Sequence, residues 1–396
     1  MLERALRIQS QLVQWRREFH RHPELGFQES RTAALVAEVL RSQGYRVRTG
    51  VGRTGVIGER GEGRPVVAIR ADMDALPLQE ANDVPYASSV PGVMHACGHD
   101  GHTAIALGVA TLLAQESFPG TVRLLFQPAE EVADKEGLSG AARMVEDGAM
   151  EGVDAVMALH VFPVAGVGDI TLEAGPSSAG VASFSATIYG QGTHGAYPHK
   201  GVDPIYITGH VLLALHGIIS RRLDPFDAAV LSVGSIHGGQ ADNVIPGKVK
   251  ITGTIRYESV EVKKRLFVEI ERALAIARVL GGDYELRLSG GSLPVINDER
   301  LVKLLREVAG DLLGGEHILP SEKGMGAEDF SELAALAPGA MFRLGCRIDG
   351  DERKLHNPNF DLDEGCLPIG AAILAEAALR LLRLGSLQPQ SAPGTV

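Results

Sequence analysis

The sequence is poor in cysteine and has no long apolar run, and each shortage excludes a class of protein. Three cysteines among 396 residues do not suit a disulfide framework, so we expect a reducing, cytoplasmic compartment. No apolar run reaches the roughly 20 residues that span a bilayer, so a membrane protein is not expected. The N-terminal sequence MLERALRIQSQLVQWRREFH lacks the apolar core and the small-residue cleavage site of a secretory signal.

Basic residues are in the minority, which limits the choice of partners. The chain has 38 Lys and Arg against 49 Asp and Glu, a formal net charge of −11. A net negative charge repels polyanions. Nucleic acid and anionic membranes are therefore not expected as partners.

The densest run of metal-binding side chains is HACGHDGH, from His95 to His102. It holds three imidazoles, one thiol and one carboxylate, with Gly98 and Gly101 as points where the backbone can bend. A transition-metal site needs such a density of nitrogen, sulfur and oxygen donors. The following run, Thr103 to Gln115, has a helical pattern, so the cluster is expected on a loop before a helix. A polar loop with unrelated histidines is the alternative.

Three apolar runs of strand-forming residues end in acids or in a histidine. They are RPVVAIRADMDALP with Asp72 and Asp74, TVRLLFQPAEE with Glu130 and Glu131, and VDAVMALHV with His160. Near-continuous apolar strands separated by helices indicate a mostly parallel sheet that is buried on both faces. Ligands of such sheets bind beyond the carboxyl ends of the strands. We therefore expect these side chains to share one site.

A pair of metal ions is the hypothesis that uses these donors together. The candidate ligands are Cys97, His99, Glu131, His160 and His356, the last in KLHNPNFD. The adjacent Glu130 and Glu131 can have different roles, because one can bind metal while the other takes a proton from water. A metal lowers the pKa of that water toward about 7. An ordinary loop histidine remains the alternative for His356, and a buried structural histidine the alternative for His160.

The middle of the chain has a different pattern, which indicates a second domain. From about Ala182 the predicted elements follow the order β-α-β-β-α-β of a ferredoxin-like unit, and an α/β pattern resumes at about Pro294. A length of 396 residues also exceeds the usual size of a single core. We expect an α/β protein with a discontinuous catalytic domain (1–182 and 294–385), an inserted α+β lid (183–293) and a disordered tail (386–396).

Seven motifs spread along the chain carry a resemblance to a known family. They are HACGHDGHTA, RADMDALP, FQPAEE, GTHGAYPHKGVDP, ADNVIP, GAEDF and LHNPNFD. From about Phe19 to Leu384 the chain resembles the amidohydrolase branch of the aminoacylase and carboxypeptidase family of metallopeptidases. That branch includes hippurate hydrolases, N-acyl-L-amino acid amidohydrolases and indole-acetyl-amino acid hydrolases. The resemblance implies a phosphorylase/hydrolase-like catalytic domain with a mostly parallel sheet, and an inserted ferredoxin-like lid that also serves for dimerisation.

The resemblance also implies a metal centre and the residues that act beside it. Two divalent ions per subunit, of Mn, Zn, Co or Ni, would be held by Cys97, His99, Glu131, His160 and His356. Glu130 would be the general base. Asp74 would be the acid that lies beside a metal ligand, and Asp72 is a weaker candidate for that place.

The lid and a late loop would supply contacts to the substrate. His194, in GTHGAYPHKG, matches a histidine that in dimeric relatives reaches the partner's active site and stabilises the oxyanion. Asn243 and Arg256 match positions that help to hold substrate. Arg256 could pair with a substrate carboxylate through its planar guanidinium, or could form a structural salt bridge instead. Gly326 and Asp329, in GMGAEDF, would line the site.

The function implied is metal-dependent hydrolysis of the amide bond of small N-acyl amino acids, either hippurate-like or N-acetylated. The assembly would be a homodimer through the lid, or a tetramer. A dipeptidase or carboxypeptidase of the wider family and a non-catalytic metal-binding relative are the alternatives. The Cys97 and His99 pair favours the amidohydrolase branch, because the peptidase branches usually present an aspartate there. A structural zinc module does not fit, because its donors would be paired at short spacings.

Overall fold

The structure is a computed structural model that describes residues 1–321 and 324–385, so the expected tail (386–396) lies outside the described residues. The helices are α1 (Leu2–Arg7), α2 (Gln9–Arg21), α3 (Ser30–Ser42), α4 (His99–Leu113), α5 (Gly140–Glu146), α6 (Pro204–Arg221), α7 (Val260–Leu274), α8 (Ile276–Val279), α9 (Glu299–Leu313), α10 (Phe330–Ala334) and α11 (Cys366–Leu384). The strands are β1 (Arg46–Val51), β2 (Gly55–Glu62), β3 (Val66–Asp72), β4 (Gly120–Gln127), β5 (Ala155–Phe162), β6 (Ile170–Thr171), β7 (Gly175–Pro176), β8 (Gly180–Tyr189), β9 (Thr193–His194), β10 (Ala229–Gly238), β11 (Val244–Ile245), β12 (Lys248–Tyr257), β13 (Asp283–Gly290), β14 (Ile296–Asn297), β15 (Ile318–Leu319) and β16 (Gly339–Gly345).

The described chain divides into two compact units. The large unit comprises residues 1–177, 296–321 and 329–385, and the inserted unit comprises residues 178–295 and 324–328. The two-stranded pair of β7 and β14 belongs to the large unit and joins the segment that leads into the insertion to the segment that leaves it. Within the described residues, none of the helices combines the length and apolar character needed to cross a bilayer.

The large unit is built on an eight-stranded sheet with the order β1-β2-β4-β3-β5-β16-β6-β15. The four central strands, β4, β3, β5 and β16, run parallel to one another. All seven residues of β3, VVAIRAD, are buried, as expected for a central strand covered on both faces. The structure therefore confirms the mostly parallel sheet. In such a sheet the carboxyl ends of β3, β4 and β5 lie at one edge.

The helix that follows the HACGHDGH motif begins earlier than its sequence pattern predicts. Helix α4 starts at His99 rather than near Thr103, directly after Gly98, which has a positive φ of 89°. The left-handed conformation favours glycine at this position and turns the chain into the helix. A side chain at Gly98 would also collide with Val161, since a Cβ built there lies 2.3 Å from its Cγ2. His99 and His102 consequently occupy the first turn of α4.

The inserted unit has the predicted β-α-β-β-α-β order. Its antiparallel sheet has the strand order β10-β12-β8-β13, and α6 and α7 pack against each other and against this sheet. Burial alternates along β8, as in a strand with one covered face. The side chains of Asp203 and Ser259 cap the N-termini of α6 and α7. This is the ferredoxin-like α+β architecture that the sequence predicts.

A buried ionic cluster connects α2 to α4 and to a late loop. The Nε of Arg16, a fully buried residue, lies 2.8 Å from Asp100 Oδ2, and its Nη2 lies 2.6 Å from Asp361 Oδ1. His20 Nδ1 is 2.7 Å from the same Asp100 oxygen. Burial opposes the charge of Arg16, but the carboxylates of Asp100 and Asp361 raise its pKa well above the usual value. Because Asp100 follows His99 in the chain, the cluster also fixes the N-terminus of α4.

We predict that Arg16→Ala lowers the free energy of unfolding of the large unit by about 3–5 kcal/mol, because it leaves buried carboxylates without their partner. Trp15, the single tryptophan, lies on the same helix, so its fluorescence in a urea titration measures the change. Arg7→Ala, which removes an exposed pair with Glu3, is the control and should cost less than about 1 kcal/mol. Equal losses in the two variants would contradict the prediction.

Candidate metal centre

The carboxyl edge of the central strands collects the polar side chains singled out in the sequence. Asp72 is the last residue of β3, Glu130 and Glu131 follow the end of β4, and His160 lies near the end of β5. The structure brings together the five expected metal ligands, Cys97, His99, Glu131, His160 and His356.

The donors form two overlapping groups that share Cys97. Cys97, His99 and His160 make one group, and Cys97, Glu131 and His356 make the other. Within each group the ligand atoms lie within 4.8 Å of one another. Cys97 Sγ is 3.5 Å from His160 Nε2, and Glu131 Oε1 is 3.0 Å from His356 Nε2.

Glu130 lies beside these donors. It forms a further group with His99 and Glu131, and the ligand atoms of these three residues also lie within 4.8 Å of one another. The adjacent glutamates thus both reach the neighbourhood of His99.

Asp74 orients two of the donors. His99 Nδ1 lies 3.0 Å from the Asp74 carbonyl oxygen and 3.2 Å from its Oδ1, so it donates to this residue. Asp74 Oδ2 accepts the backbone N–H of Glu131 at 3.0 Å. The Nε2 of His99 is buried and has no hydrogen-bond partner among the described residues. A histidine that binds metal through one nitrogen commonly donates its other N–H to a carboxylate or a carbonyl, and His99 is held in this way.

His102 and Asp72 serve to hold the site together. The Nδ1 of His102 donates to Asp72 Oδ1 at 2.6 Å, and its Nε2 accepts the backbone N–H of Val161 at 2.9 Å. Both ring nitrogens are therefore already used, which fixes the start of α4 against β5. Asp72 also pairs with Arg70, whose Nη1 is 2.7 Å from Asp72 Oδ2. Asp72 also lies near His99, since its Oδ2 is 3.6 Å from the Nε2 of that residue. Asp74 is the acid that binds both the Nδ1 of His99 and the backbone N–H of Glu131.

The electrostatics of the pocket fit a bound cation. Burial raises the pKa of the Cys97 thiol well above its usual value, so a thiolate there needs a nearby positive charge. Burial, together with the nearby His102, lowers the pKa of His160 to about 3 and leaves a neutral imidazole, the form that binds metal. Burial opposes a charge on His99, yet Asp72 and Cys97 raise its pKa well above the usual value. Thiol, imidazole and carboxylate donors together suit a divalent transition metal.

Two segments that present donors adopt positive φ angles at residues other than glycine. The φ angle is 58° at His356 and 44° at Ala129, which precedes Glu130. Such conformations cost of order 1–3 kcal/mol and persist when neighbours enforce them. The backbone N–H of His356 donates to the carbonyl of Ala96 at 2.7 Å, and the carbonyl of Ala129 accepts the N–H of Gly140 at 2.9 Å. The sequence gives no sign of either conformation.

His194 and Asn243 lie on paired segments of the inserted unit. His194 ends β9, which pairs with β11 so that His194 lies opposite Val244. Its Nδ1 accepts the backbone N–H of Ala196 at 3.0 Å, which places the ring proton on Nε2. The carbonyl of Asn243 accepts the N–H of Gly195 at 2.7 Å. His194 is thus held as a hydrogen-bond donor beside Asn243.

Arg256, Gly326 and Asp329 differ in their surroundings. The Nη1 of Arg256 donates to the hydroxyl of Thr254, and no acidic side chain of the described residues forms a salt bridge with it, which disfavours the structural alternative. Gly326, in the inserted unit, has no atom of the described residues within 4 Å of the position that a Cβ would take. Asp329, expected to line the site, is buried in the large unit and accepts hydrogen bonds from Arg70 and Gln127. Its carboxylate also lies within 4.8 Å of that of Glu130.

Comparisons with known proteins identify the family. The profile of Peptidase family M20/M25/M40 matches residues 68–380. The chain is 38% identical over 383 residues to the N-acetyl-L-cysteine deacetylase of Bacillus subtilis, a match that covers 95% of this chain and 89% of the relative. It is 38% identical over 380 residues to the IAA-amino acid hydrolase ILR1-like 2 of Arabidopsis thaliana, covering 94% and 85% of the two chains.

A solved structure agrees with this assignment. The Bacillus subtilis protein YXEP, described as a dinuclear metal-binding peptidase from the M20 family, superposes with a TM-score of 0.83 at 35% identity, and the match covers 95% of this chain and 98% of that one. The family profile spans most of the described chain, and these relatives exceed 30% identity over nearly its whole length. The chain therefore belongs to Peptidase family M20/M25/M40 and is a metal-dependent amidohydrolase or peptidase.

Proposed function

We propose that this protein hydrolyses the amide bond of N-acyl amino acids, with Glu130 as the general base. The observation that carries the proposal is the turn after β4, where Glu131 joins the donor group of Cys97 and His356 while Glu130 lies next to it. A pure metal-storage site has no need of a second carboxylate beside the ligand. Two relatives are named as an N-acetyl-L-cysteine deacetylase and an IAA-amino acid hydrolase, which supports N-acyl amino acids as the substrate class.

The proposed metal centre uses the donors that the large unit brings together. Cys97, His99, Glu131, His160 and His356 would hold two divalent ions per subunit, of Mn, Zn, Co or Ni. When bound, such ions polarise a carbonyl and lower the pKa of water. The description of the Bacillus subtilis neighbour as dinuclear supports the number of ions. Asp74 would keep the Nε2 of His99 aimed at the centre.

The side chains of the protein would carry the proton and stabilise the developing charge. Glu130 takes a proton from the attacking water as its oxygen adds to the amide carbon, and then delivers that proton to the leaving nitrogen. Negative charge develops on the former carbonyl oxygen, where the Nε2–H of His194 donates a hydrogen bond. Arg256 would bind the carboxylate of the amino acid through its planar guanidinium, with Asn243 and Gly326 also facing substrate.

We also propose a homodimer through the inserted unit, with a tetramer of such dimers as a further assembly. Strand β10 lies at the edge of its sheet. The neighbouring helix α6 exposes apolar side chains, since Tyr206 is 60% and Leu213 is 75% exposed. A strand edge beside an apolar helix face is a surface that a second copy can cover. In such a dimer His194 would act on the substrate of the partner subunit.

The proposed compartment is the cytoplasm. The three cysteines, Cys97, Cys346 and Cys366, are buried thiols that form no disulfide with one another. Burial raises the pKa of Cys346 to about 12 and also raises that of Cys366. Thiols kept reduced in this way suit a reducing environment.

The substrate class is tested with a panel of N-acetyl, benzoyl and indole-acetyl amino acids, compared with dipeptides and N-blocked dipeptides. The protein is stripped with a chelator and reloaded separately with Mn²⁺, Co²⁺, Ni²⁺ or Zn²⁺. We expect N-acyl amino acids to release free amino acid with the highest kcat/KM, and the chelated protein to be inactive. Faster cleavage of dipeptides would favour the peptidase alternative, and no cleavage of any amide would favour a non-catalytic metal-binding protein.

Glu130→Gln should lower kcat by about 10³-fold while both metals remain bound, because base catalysis supplies about 10²–10⁴ in rate. Glu131→Gln should instead lose metal, since it removes a ligand from the group with Cys97 and His356. Metal content and kcat are measured on the same samples. Glu136→Gln, on the exposed part of the following loop, is the control and should behave as wild type. Full turnover by Glu130→Gln would remove Glu130 from the role of base.

Mixed dimers test where His194 acts. Glu130→Gln and His194→Ala proteins should each be nearly inactive alone. Co-expression gives mixed dimers in which an intact Glu130 faces an intact His194 only if the histidine crosses the interface. We therefore expect activity to reappear in dimers isolated with two different affinity tags. Mixed dimers as inactive as their parents would show that His194 does not act across the interface.

A further inference from the structure

Glu29 is a buried acid that the mechanism above does not use. It is fully buried, at the end of the PELGFQE segment that precedes α3. Its Oε1 accepts the backbone N–H of Ala129 at 2.8 Å, and its Oε2 accepts the hydroxyl of Thr54. Among the described residues it forms no salt bridge with a Lys or an Arg. Glu29 therefore contacts the backbone directly before Glu130.

The turn that Glu29 contacts is enclosed by backbone on several sides. A Cβ built at Gly140 would lie 1.6 Å from the carbonyl oxygen of Pro128, and one built at Gly55 would lie 2.9 Å from the Cδ of Pro128. A Cβ at Gly26, in the same segment as Glu29, would lie 3.0 Å from that of Ala129. The close packing leaves little room for the turn to move once Ala129 is in its left-handed conformation.

Two carboxylates hold alternate N–H groups of this turn. Glu29 accepts from Ala129, and Asp74 accepts from Glu131 at 3.0 Å. Glu130 lies between these two anchored residues. The direction of its side chain therefore depends on both anchors, whereas only one of them, Asp74, also contacts a proposed ligand side chain, that of His99.

We propose that Glu29 is a positioning residue that fixes the turn at Ala129 and so presents Glu130 and Glu131 to the metal centre. The proposal rests on the function proposed above, because it takes Glu130 as the base and Glu131 as a ligand. Glu29 touches neither substrate nor metal ligand side chains, and it acts through the backbone of Ala129.

The surroundings of Glu29 favour a role as a hydrogen-bond acceptor of fixed length rather than as a charge. Burial raises the pKa of Glu29 to about 7, although its bonds to Thr54 and Ala129 act in the opposite direction. Burying an acid without a cationic partner costs free energy unless its hydrogen bonds compensate for the loss of water. The N–H of Ala129 needs an acceptor oxygen at the end of a side chain as long as glutamate. The neutral amide oxygen of a glutamine supplies such an acceptor.

Two substitutions at Glu29 separate reach from charge. Glu29→Gln keeps the reach and an acceptor for the Ala129 N–H but removes the charge. Glu29→Asp keeps the charge but is shorter by one methylene. Glu24→Asp is the matched control, because Glu24 lies in the same segment and its carboxylate accepts the N–H groups of Arg31 and Thr32 at the start of α3 instead.

Each variant is assayed as the full-length, metal-loaded protein for kcat, for KM and for Co²⁺ affinity by chelator competition. We expect Glu29→Asp to weaken Co²⁺ binding and to lower kcat, each by about tenfold or more, in line with residues that support metal ligands. KM should change little, and Glu29→Gln should stay close to wild type. Glu24→Asp should lower thermal stability without changing kcat or Co²⁺ affinity.

The proposal is overturned if Glu29→Asp behaves as Glu24→Asp does, or if Glu29→Gln is as impaired as Glu29→Asp. Should Glu29→Asp fail to fold, Thr54→Val carries the test, since it removes the hydroxyl that fixes Glu29. Unchanged kcat and Co²⁺ affinity in Thr54→Val would then overturn the proposal. Co²⁺ affinity reports on the turn even if no amide is hydrolysed, so failure of the proposed function remains distinguishable from failure of this inference.

Discussion

The candidate metal centre depends on the hydrogen bonds that fix the imidazole rings of His99 and His160 through their Nδ1 atoms. The Nδ1–H of His99 donates to Asp74, and the carbonyl of Val161 lies 2.8 Å from the Nδ1 of His160. The Nε2 of His160 then lies 3.5 Å from Cys97 Sγ. Because these hydrogen bonds are made within the protein, the binding of an ion does not have to order the two rings.

Burying so many acids at one sheet edge requires balancing charges nearby. Arg70 pairs with Asp72 and Asp329, and Arg16 pairs with Asp100 and Asp361. A buried charge without such a partner costs several kcal/mol. The two arginines therefore allow acids to surround His99 and His102 while the helix keeps its N-terminus in place.

The sequence predicts the parts of this site that depend on local pattern. Apolar strands that end in Asp72 and at Glu130 predict the parallel sheet and its functional edge, because strand direction and side-chain alternation are local properties. The early start of α4 and the left-handed Ala129 were not predictable, since Val161, Glu29 and Gly140 enforce them from distant positions. The hydrogen bonds of Asp329 were not predictable for the same reason: its partners, Arg70 and Gln127, lie more than 200 residues earlier.

The short pair of β7 and β14 has a consequence for how such a chain folds and diversifies. Pro176 pairs with Ile296, so the two ends of the inserted segment lie side by side in the large unit. The entropy cost of closing a loop grows only with the logarithm of its length, so a longer insertion adds little to that cost. The eight-stranded sheet can therefore form whatever the length of the insertion. Changes in the inserted unit during evolution need not change the sequence of the sheet.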